Sequence, residues 1–178
     1  MKNIAILNFS TRSNGNCASI ANEIESNYTN ANACIHQISQ LIEPCGGCGY
    51  ECLKPNENCY IGEKIHTLME QLMNCECIYY VLPNICGFPC ANYFIFNERT
   101  MGYFNGDRAL MGRFMSIPKK FIIVSNTESD VFYKGMQQQA KEPKLLYMKT
   151  AKYKKNSLSG DILKSEEALT DLKLFLNS

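Results

Sequence analysis

The sequence predicts an α/β fold in which a mainly parallel sheet is covered by helices on both faces. Short apolar runs typical of buried strands alternate along the chain with segments whose apolar residues recur at helical spacing. Strands that alternate with helices form βαβ units, which build parallel sheets with both faces covered. A length of 178 residues fits one core, so we expect residues 1–178 to form a single domain.

Five strands and four helices are predicted in order along the chain. The strands lie at 4–8, 33–38, 76–82, 119–125 and 145–148. The first helix carries Ile20, Ala21 and Ile24 on one face, and the others lie at 61–73, 132–140 and 164–176. We expect Pro83 to end the third strand, because proline cannot donate a ladder hydrogen bond.

Five strands with short connections favour a flavodoxin-like three-layer sandwich. Its five-stranded parallel sheet would have the order 2-1-3-4-5, with helices on both faces. Ligands of such sheets bind beyond the carboxyl ends of the strands, between the first and third strands where the order reverses. Loops 10–17 and 83–90 follow these two strands, so we expect the loops to lie side by side there.

The loop between the first strand and the first helix has the composition of a phosphate site. The first N–H groups of a helix lack intrahelical partners and carry partial positive charge, which favours an anion. Ser10 and Ser13 can donate hydroxyl hydrogen bonds, and Arg12 adds a charged planar fork. Gly15 would allow close approach of the backbone to a ligand. An ordinary capped turn uses the same residue types and is the alternative.

This loop resembles the phosphate loop of the NADPH-dependent FMN reductase and iron–sulfur flavoprotein family. That family has Ser-x-Arg-x-x-Gly-Asn-Thr, and this chain has Ser10-Thr11-Arg12-Ser13-Asn14-Gly15-Asn16-Cys17. The resemblance implies that Ser10, Arg12, Ser13, Gly15, Asn16 and Cys17 bind FMN. Cys17 replaces a hydroxyl residue and is only a weak donor, although its backbone N–H is retained. A thiol at the start of a helix is expected to have a lowered pKa.

The second flavin loop of the family, Pro-Val-Tyr-x-Gly or similar, resembles residues 83–87 of this chain. Pro83 and Gly87 are kept, while the aromatic residue is replaced by Ile85. Phe88 is a candidate for the missing ring contact. The resemblance thus assigns the following residues to the flavin: Pro83, Asn84, Ile85, Cys86, Gly87 and Phe88.

The resemblance implies an FMN-dependent oxidoreductase that passes electrons from NAD(P)H to an unknown small-molecule or protein acceptor. The cofactor performs this chemistry, so no side chain is assigned as catalytic. Two alternatives remain open: a flavodoxin-type electron carrier, and a flavin-free metal-binding or scaffold protein on the same fold.

Four cysteines between the second strand and the next helix are candidate metal ligands. Close-spaced thiolates suit a 4Fe-4S cluster or tetrahedral zinc, and the four are Cys45, Cys48, Cys52 and Cys59. Iron–sulfur flavoproteins commonly have two residues between the second and third cysteines, whereas this chain has three. Since relatives also keep such cysteines without a cluster, the metal-free state is favoured.

Composition limits the partners. Lys and Arg total 18 against 17 Asp and Glu, for a net charge of +1, and no basic block suggests nucleic acid. No apolar run approaches the roughly 20 residues of a membrane helix, and the chain opens without an apolar signal region. We therefore expect a cytoplasmic protein without a membrane partner. The aromatic-rich segment 93–104 suggests a homodimer or higher homo-oligomer, with burial in the chain's own core as the alternative.

Overall fold

The computed structural model describes residues 2–46, 49, 54 and 62–178. The strands within these residues are Asn3–Asn8 (β1), Asn32–Gln37 (β2), Cys77–Ile85 (β3), Phe88–Pro89 (β4), Lys119–Val124 (β5) and Lys144–Met148 (β6). The helices are Asn16–Asn27 (α1), Ile38–Leu41 (α2), Glu63–Leu72 (α3), Ala91–Phe104 (α4), Arg108–Ser116 (α5), Asp130–Met136 (α6) and Glu166–Leu176 (α7). A short 3-10 helix, Ile162–Lys164, precedes α7.

The predicted fold class is confirmed. The parallel strands have the order β2-β1-β3-β5-β6, which is the predicted order 2-1-3-4-5 when only parallel strands are numbered. The described sheet contains six strands rather than five, because the two-residue β4 pairs antiparallel with the end of β3.

The expectation that Pro83 ends the third strand was wrong. Pro83 is the last residue of β3 aligned with β5, where it faces Val124. A missing N–H costs little at the end of a ladder, so the strand continues to Ile85. Beyond Pro83 the chain pairs with β4 instead, since Asn84 aligns with Pro89.

Residues of β3 alternate between two cores, one on each face of the sheet. Ile78, Tyr80 and Leu82 pack towards α3, α4, α5 and α6. Tyr79 and Val81 pack towards α1 and α7 on the other face. Both faces of the strand are therefore apolar, as expected for the centre of a parallel sheet.

Segment 93–104 lies within α4. Tyr93, Phe96 and Phe104 are buried in the protein's own core, whereas Phe94 and Met101 are 53% and 55% exposed. Most of the aromatic residues are thus explained by the core alternative, and self-association stays a prediction. None of the helices in the described residues is long and apolar enough to cross a membrane.

Lys119, at the start of β5, is a buried lysine and is only 3% exposed. Its Nζ donates hydrogen bonds to the carbonyl oxygens of Phe114 and, at 3.1 Å, Ile117, at the end of α5. Burial nevertheless lowers the pKa of Lys119 from 10.5 to about 7, because desolvation disfavours the charged ammonium.

Lys119 is expected to contribute stability that grows from pH 7 to pH 9. Unfolded Lys119 holds its proton up to a pKa of about 10.5, whereas the folded group releases it above about 7. At this group the unfolded state therefore binds more protons in this window, and its contribution to the free energy of unfolding increases with pH. Lys119→Met should remove about 1–2 kcal/mol of this rise, measured by urea denaturation.

Lys64→Met is the control, since Lys64 is exposed on α3. This variant should keep the pH dependence of stability seen in the wild type. A Lys119→Met protein whose stability changes with pH in the same way as that of the wild type would contradict the assignment.

Candidate functional site

The carboxyl edge of the sheet gathers three chain segments around the end of β1. Asn8, the last residue of β1, aligns with Gln37 of β2 on one side and Val81 of β3 on the other. The next residue, Phe9, donates its N–H to the Val81 carbonyl oxygen at 2.9 Å. Because the first and third strands are parallel neighbours that end at the same edge of the sheet, residues from loops 10–17 and 83–90 line one cleft, as expected.

Side chains of β1 and β2 hold the first residues of loop 10–15. Asn8 Oδ1 accepts the Ser10 N–H, and Ser10 Oγ accepts the Arg12 N–H, each at 3.1 Å. Gln37 accepts a hydrogen bond from Asn8 Nδ2 at 2.9 Å and donates one to the Ser10 carbonyl oxygen. These bonds give local partners to backbone groups that have left the sheet. Ser10 is buried, while residues 11–14 are exposed.

The loop ends at a helix start that is suited to an anion. Gly15 is the N-cap of α1 and makes no side-chain capping bond, so the first-turn N–H groups are not occupied by a cap. The first turn of α1 contains no acidic residue. Arg12 packs against this end, because a Cβ added at Gly15 would lie 3.3 Å from the Arg12 Cβ. The helix dipole and Arg12 therefore both bring positive charge to this end of the loop, where the Arg12 charge also acts on Cys17.

Asn16 and Cys17 begin α1, and their side chains are buried, each residue being 3% exposed. The Asn16 amide bonds to a distant segment of the chain, at Asn156 and Ile162. Cys17 packs in the core between the sheet and helices α1 and α7. The side chains of these two predicted ligands are thus engaged within the protein, and their backbone N–H groups remain for an anion. Their contact with a cofactor stays a prediction.

The expectation of a lowered pKa at Cys17 was wrong. The pKa of the Cys17 thiol is raised from 9.0 to about 12, mainly by burial and to a smaller extent by the neighbouring Cys90 thiol. The charge of Arg12 acts in the opposite direction and is the smallest of the three effects. Burial also raises the pKa of Cys90. Desolvation therefore outweighs the helix start, and both groups are thiols at neutral pH.

Residues 85–88 form a tight hairpin at the other side of the cleft. Ile85 pairs with Phe88 across a two-residue turn. Cys86 and Gly87 occupy this turn with φ of +53° and +89°, both in the region that favours glycine. Ile85 and Phe88 are 54% and 53% exposed, so the hairpin presents apolar side chains beside the cleft.

Asn84 fixes this hairpin to the rest of the site. Its Oδ1 accepts the Gly87 N–H at 2.7 Å, which closes the turn. Its Nδ2 donates to the hydroxyl oxygens of Ser125 and Thr127, in the loop after β5. The predicted flavin ligand Asn84 thus has a structural function in the hairpin, and its contact with a flavin stays a prediction.

The cleft between the two loops has a volume of about 200 Å³. It is lined by Phe9, Ser10, Thr11, Arg12, Pro83, Ile85, Cys90, Ala91 and Asn92. Enclosed ligand pockets are usually about 300–1,000 Å³, so a ligand held here would remain partly open to solvent. Cys86, Gly87 and Phe88 form the hairpin tip beyond this lining. Ser13 lines a second cleft of about 230 Å³ on the β2 side of the loop.

Phe9 and Asn92 line the cleft and were not predicted. Phe9 is 1% exposed and stacks on Tyr80 with ring centres 5.6 Å apart. Asn92, in the first turn of α4, donates from Nδ2 to the Phe9 carbonyl oxygen at 2.9 Å. Phe9 thus anchors the beginning of the loop from both sides. The position of Phe9, a large apolar residue directly after the first strand, could have indicated its role in the sequence. Asn92 had no such signal.

Of the four candidate metal ligands, only Cys45 belongs to the described residues. Cys48, Cys52 and Cys59 lie outside them. Cys45 is exposed, and its N–H donates to Glu98 Oε2 at 3.4 Å. Among the described residues, no group of three or more His, Cys, Asp or Glu side chains could hold a metal ion. The preference between cluster, zinc and metal-free loop therefore stays a prediction.

The structure is similar to solved flavodoxin-like proteins across nearly its whole length. Against the Trp repressor binding protein of Bacillus subtilis, the identity is 16% and the TM-score 0.60, covering 97% of this chain and 96% of that chain. Against the NAD(P)H:quinone oxidoreductase of Methanothermobacter marburgensis, the identity is 12% and the TM-score 0.64, covering 99% and 96%. Against RosB with a bound 8-demethyl-8-formylriboflavin-5′-phosphate intermediate, the identity is 11% and the TM-score 0.58, covering 99% and 79%.

No protein-family model matches the chain, and no curated protein matches its sequence. At identities of this level, the solved structures show the fold alone.

Cys17 is expected to resist alkylation in the native protein at pH 8. With a pKa of about 12, only about one thiol in ten thousand is a reactive thiolate at this pH. Cys86 is exposed and should react with iodoacetamide before Cys17, as followed by peptide mass spectrometry. Labelling in denaturant is the control and should modify both residues. Native labelling of Cys17 as fast as Cys86 would refute the burial of this thiol.

Proposed function

We propose that this protein binds FMN between loop 10–15 and hairpin 85–88 and transfers electrons from NAD(P)H to a small-molecule or protein acceptor. In this assignment the start of α1 and Arg12 hold the phosphate. The cleft beside Pro83 and Ile85 receives the flavin ring.

One observation carries the proposal. An open helix start bearing positive charge adjoins a cleft with apolar walls, at the carboxyl edge where the strand order reverses. FMN joins a dianionic phosphate to a planar ring through a flexible chain, so its two ends have the chemistry of these two parts. The residues present therefore fit FMN.

Two of the similar structures support the choice of a flavin over other planar phosphates. One is of an NAD(P)H:quinone oxidoreductase, and the other contains a derivative of riboflavin 5′-phosphate. These functions belong to those proteins, and here they serve as the reason for testing FMN and nicotinamide nucleotides first.

The protein's part in this reaction is binding and orientation. A bound flavin supplies hydride and single-electron chemistry. Arg12 and the α1 N–H groups would neutralise the phosphate, while Pro83 and Ile85 keep water from one side of the cleft. Because Cys17 and Cys90 stay protonated at neutral pH, neither provides a thiolate nucleophile beside the ring.

Arg12→Ala should weaken FMN binding. A charge-assisted hydrogen bond contributes about 1.5–3 kcal/mol, so the Kd should rise about 10- to 100-fold. Quenching of FMN fluorescence on titration with each protein measures this change.

Arg108→Ala is the matched control, because it removes an exposed arginine from the start of a different helix, α5. This variant should bind FMN like the wild type. If Arg12→Ala and the wild type had equal Kd values, Arg12 would not belong to the phosphate site.

FMN-loaded protein is expected to be reduced by NADH or NADPH faster than free FMN, because the protein holds the flavin ring at an open cleft. Anaerobic stopped-flow absorbance measures the loss of oxidised flavin. A bound flavin that neither nucleotide reduces would favour the electron-carrier alternative. Against that alternative, the protein has a net charge of +1, whereas such carriers dock through a strongly acidic surface. A wild-type protein that binds no flavin would favour a metal-binding or scaffold role.

A further inference from the structure

The connection from β6 to α7, residues 149–165, is longer than the roughly 2–6 residues usual in α/β units. Two buried residues of this connection, Tyr153 and Ile162, attach it to the core. Tyr153 is 4% exposed, and its hydroxyl donates to Asp171 of α7 at 2.8 Å. Ile162 is fully buried in the core formed with α1 and α7. We call residues 156–162, which contact loop 10–15 and the start of α1, the strap.

The strap is hydrogen-bonded to the start of α1 by three side-chain contacts. Asn16 Nδ2 donates to the Asn156 carbonyl oxygen at 2.9 Å, and Asn16 Oδ1 accepts the Ile162 N–H at 3.1 Å. One turn further along α1, the Ser19 hydroxyl donates to the Gly160 carbonyl oxygen at 2.7 Å. These bonds join segments separated by about 140 residues, so local sequence does not account for them.

Gly160 is the point of closest approach between the strap and the loop. A Cβ added there would lie less than 3.0 Å from the Asn14 carbonyl oxygen, a separation that real Cβ atoms do not show. It would also lie 3.2 Å from the Asn14 carbonyl carbon. Since this obstacle is backbone, it cannot move without moving the loop itself. The φ of +69° at Gly160 is likewise in the region that favours glycine.

We propose that the strap is a positioning device for the phosphate loop, with Asn16, Ser19 and Gly160 as its positioning residues. They hold loop 10–15 against the start of α1, in the conformation that receives the phosphate. This inference rests on the proposed FMN function for its consequence, but its structural part applies to the FMN-free protein as well.

The loop has reason to depend on such support. Residues 11–14 are exposed, and Gly15 provides no capping side chain for α1. Gln37 and Asn8 secure only the beginning of the loop, at Ser10. The strap secures the other end, and the buried Tyr153 and Ile162 connect it to the rigid core. A loop that is ordered before binding pays less entropy when the ligand arrives.

Hydrogen exchange of the FMN-free protein tests the positioning role directly. Gly160→Ala and Asn16→Ala should speed exchange of amides in 10–19 by about tenfold, since opening of this segment then meets less resistance. Amides of β3, residues 77–82, serve as the internal reference and should exchange as in the wild type.

Two matched variants separate this effect from general damage. Gly106→Ala replaces another glycine of positive φ, +77°, where nothing lies within 4 Å of an added Cβ. It therefore introduces backbone strain without the clash. Asn22→Ala removes an exposed amide from α1. Neither control should change exchange at 10–19 relative to the reference.

The affinity for FMN gives the second measurement. In the folded fraction of each variant, Gly160→Ala and Asn16→Ala should raise the Kd about tenfold, whereas Gly106→Ala should leave it unchanged. Unchanged exchange at 10–19, or exchange that rises equally at 10–19 and 77–82, would overturn the positioning role. Faster exchange at 10–19 with an unchanged Kd would overturn it as well. If the wild type binds no FMN, the proposed function fails, and the exchange data alone decide whether the strap holds the loop.

Discussion

The pairing of β1 with both β2 and β3 is the constraint on which the candidate site depends. Asn8 ends β1 in register with Gln37 on one side and Val81 on the other. The segments that follow these three strands therefore begin at one edge of the sheet, although they are far apart in sequence. Each core contains its own set of β3 side chains, and a shift by one residue would exchange these two sets.

The two loops at this edge are held in different ways. Hairpin 85–88 is largely self-contained, because Asn84 closes its turn and ties it to the loop after β5. Loop 10–15 depends on partners from elsewhere: Gln37 of β2 at its start and the strap at its end. The polar groups of this segment thus divide into two sets with different functions. Side chains such as Asn16 maintain the conformation, while backbone N–H groups and Arg12 remain for an anion.

Much of the fold could be predicted from the sequence, because buried parallel strands leave apolar runs and amphipathic helices leave a periodic pattern. The hairpin was missed because β4 has two residues and no pattern of its own, and Pro83 suggested an end rather than a change of partner. The wrong pKa direction at Cys17 has a similar cause. The helix start is visible in the sequence, but the depth of burial that outweighs it depends on a core built from distant parts of the chain.

The strap illustrates what a sequence conceals altogether. Gly160 lies in a Ser- and Gly-containing stretch that resembles any surface turn, and its contact with Asn14 arises only when β6 and α7 are in place. The residues of the phosphate loop could be predicted from the loop's composition. Which of them face a ligand and which face the strap could not be predicted in this way. That division follows from tertiary contacts.

The most direct test of the central claim is an NMR titration of the uniformly ¹⁵N-labelled protein with FMN. The account predicts that amide shifts concentrate in residues 10–19 and 83–92, on the two sides of the cleft. It also predicts little change in α5, whose end is bonded to Lys119 at the start of β5, away from that edge. Shifts centred elsewhere in the molecule, or no saturable shifts at all, would contradict the assignment of this cleft as a flavin site.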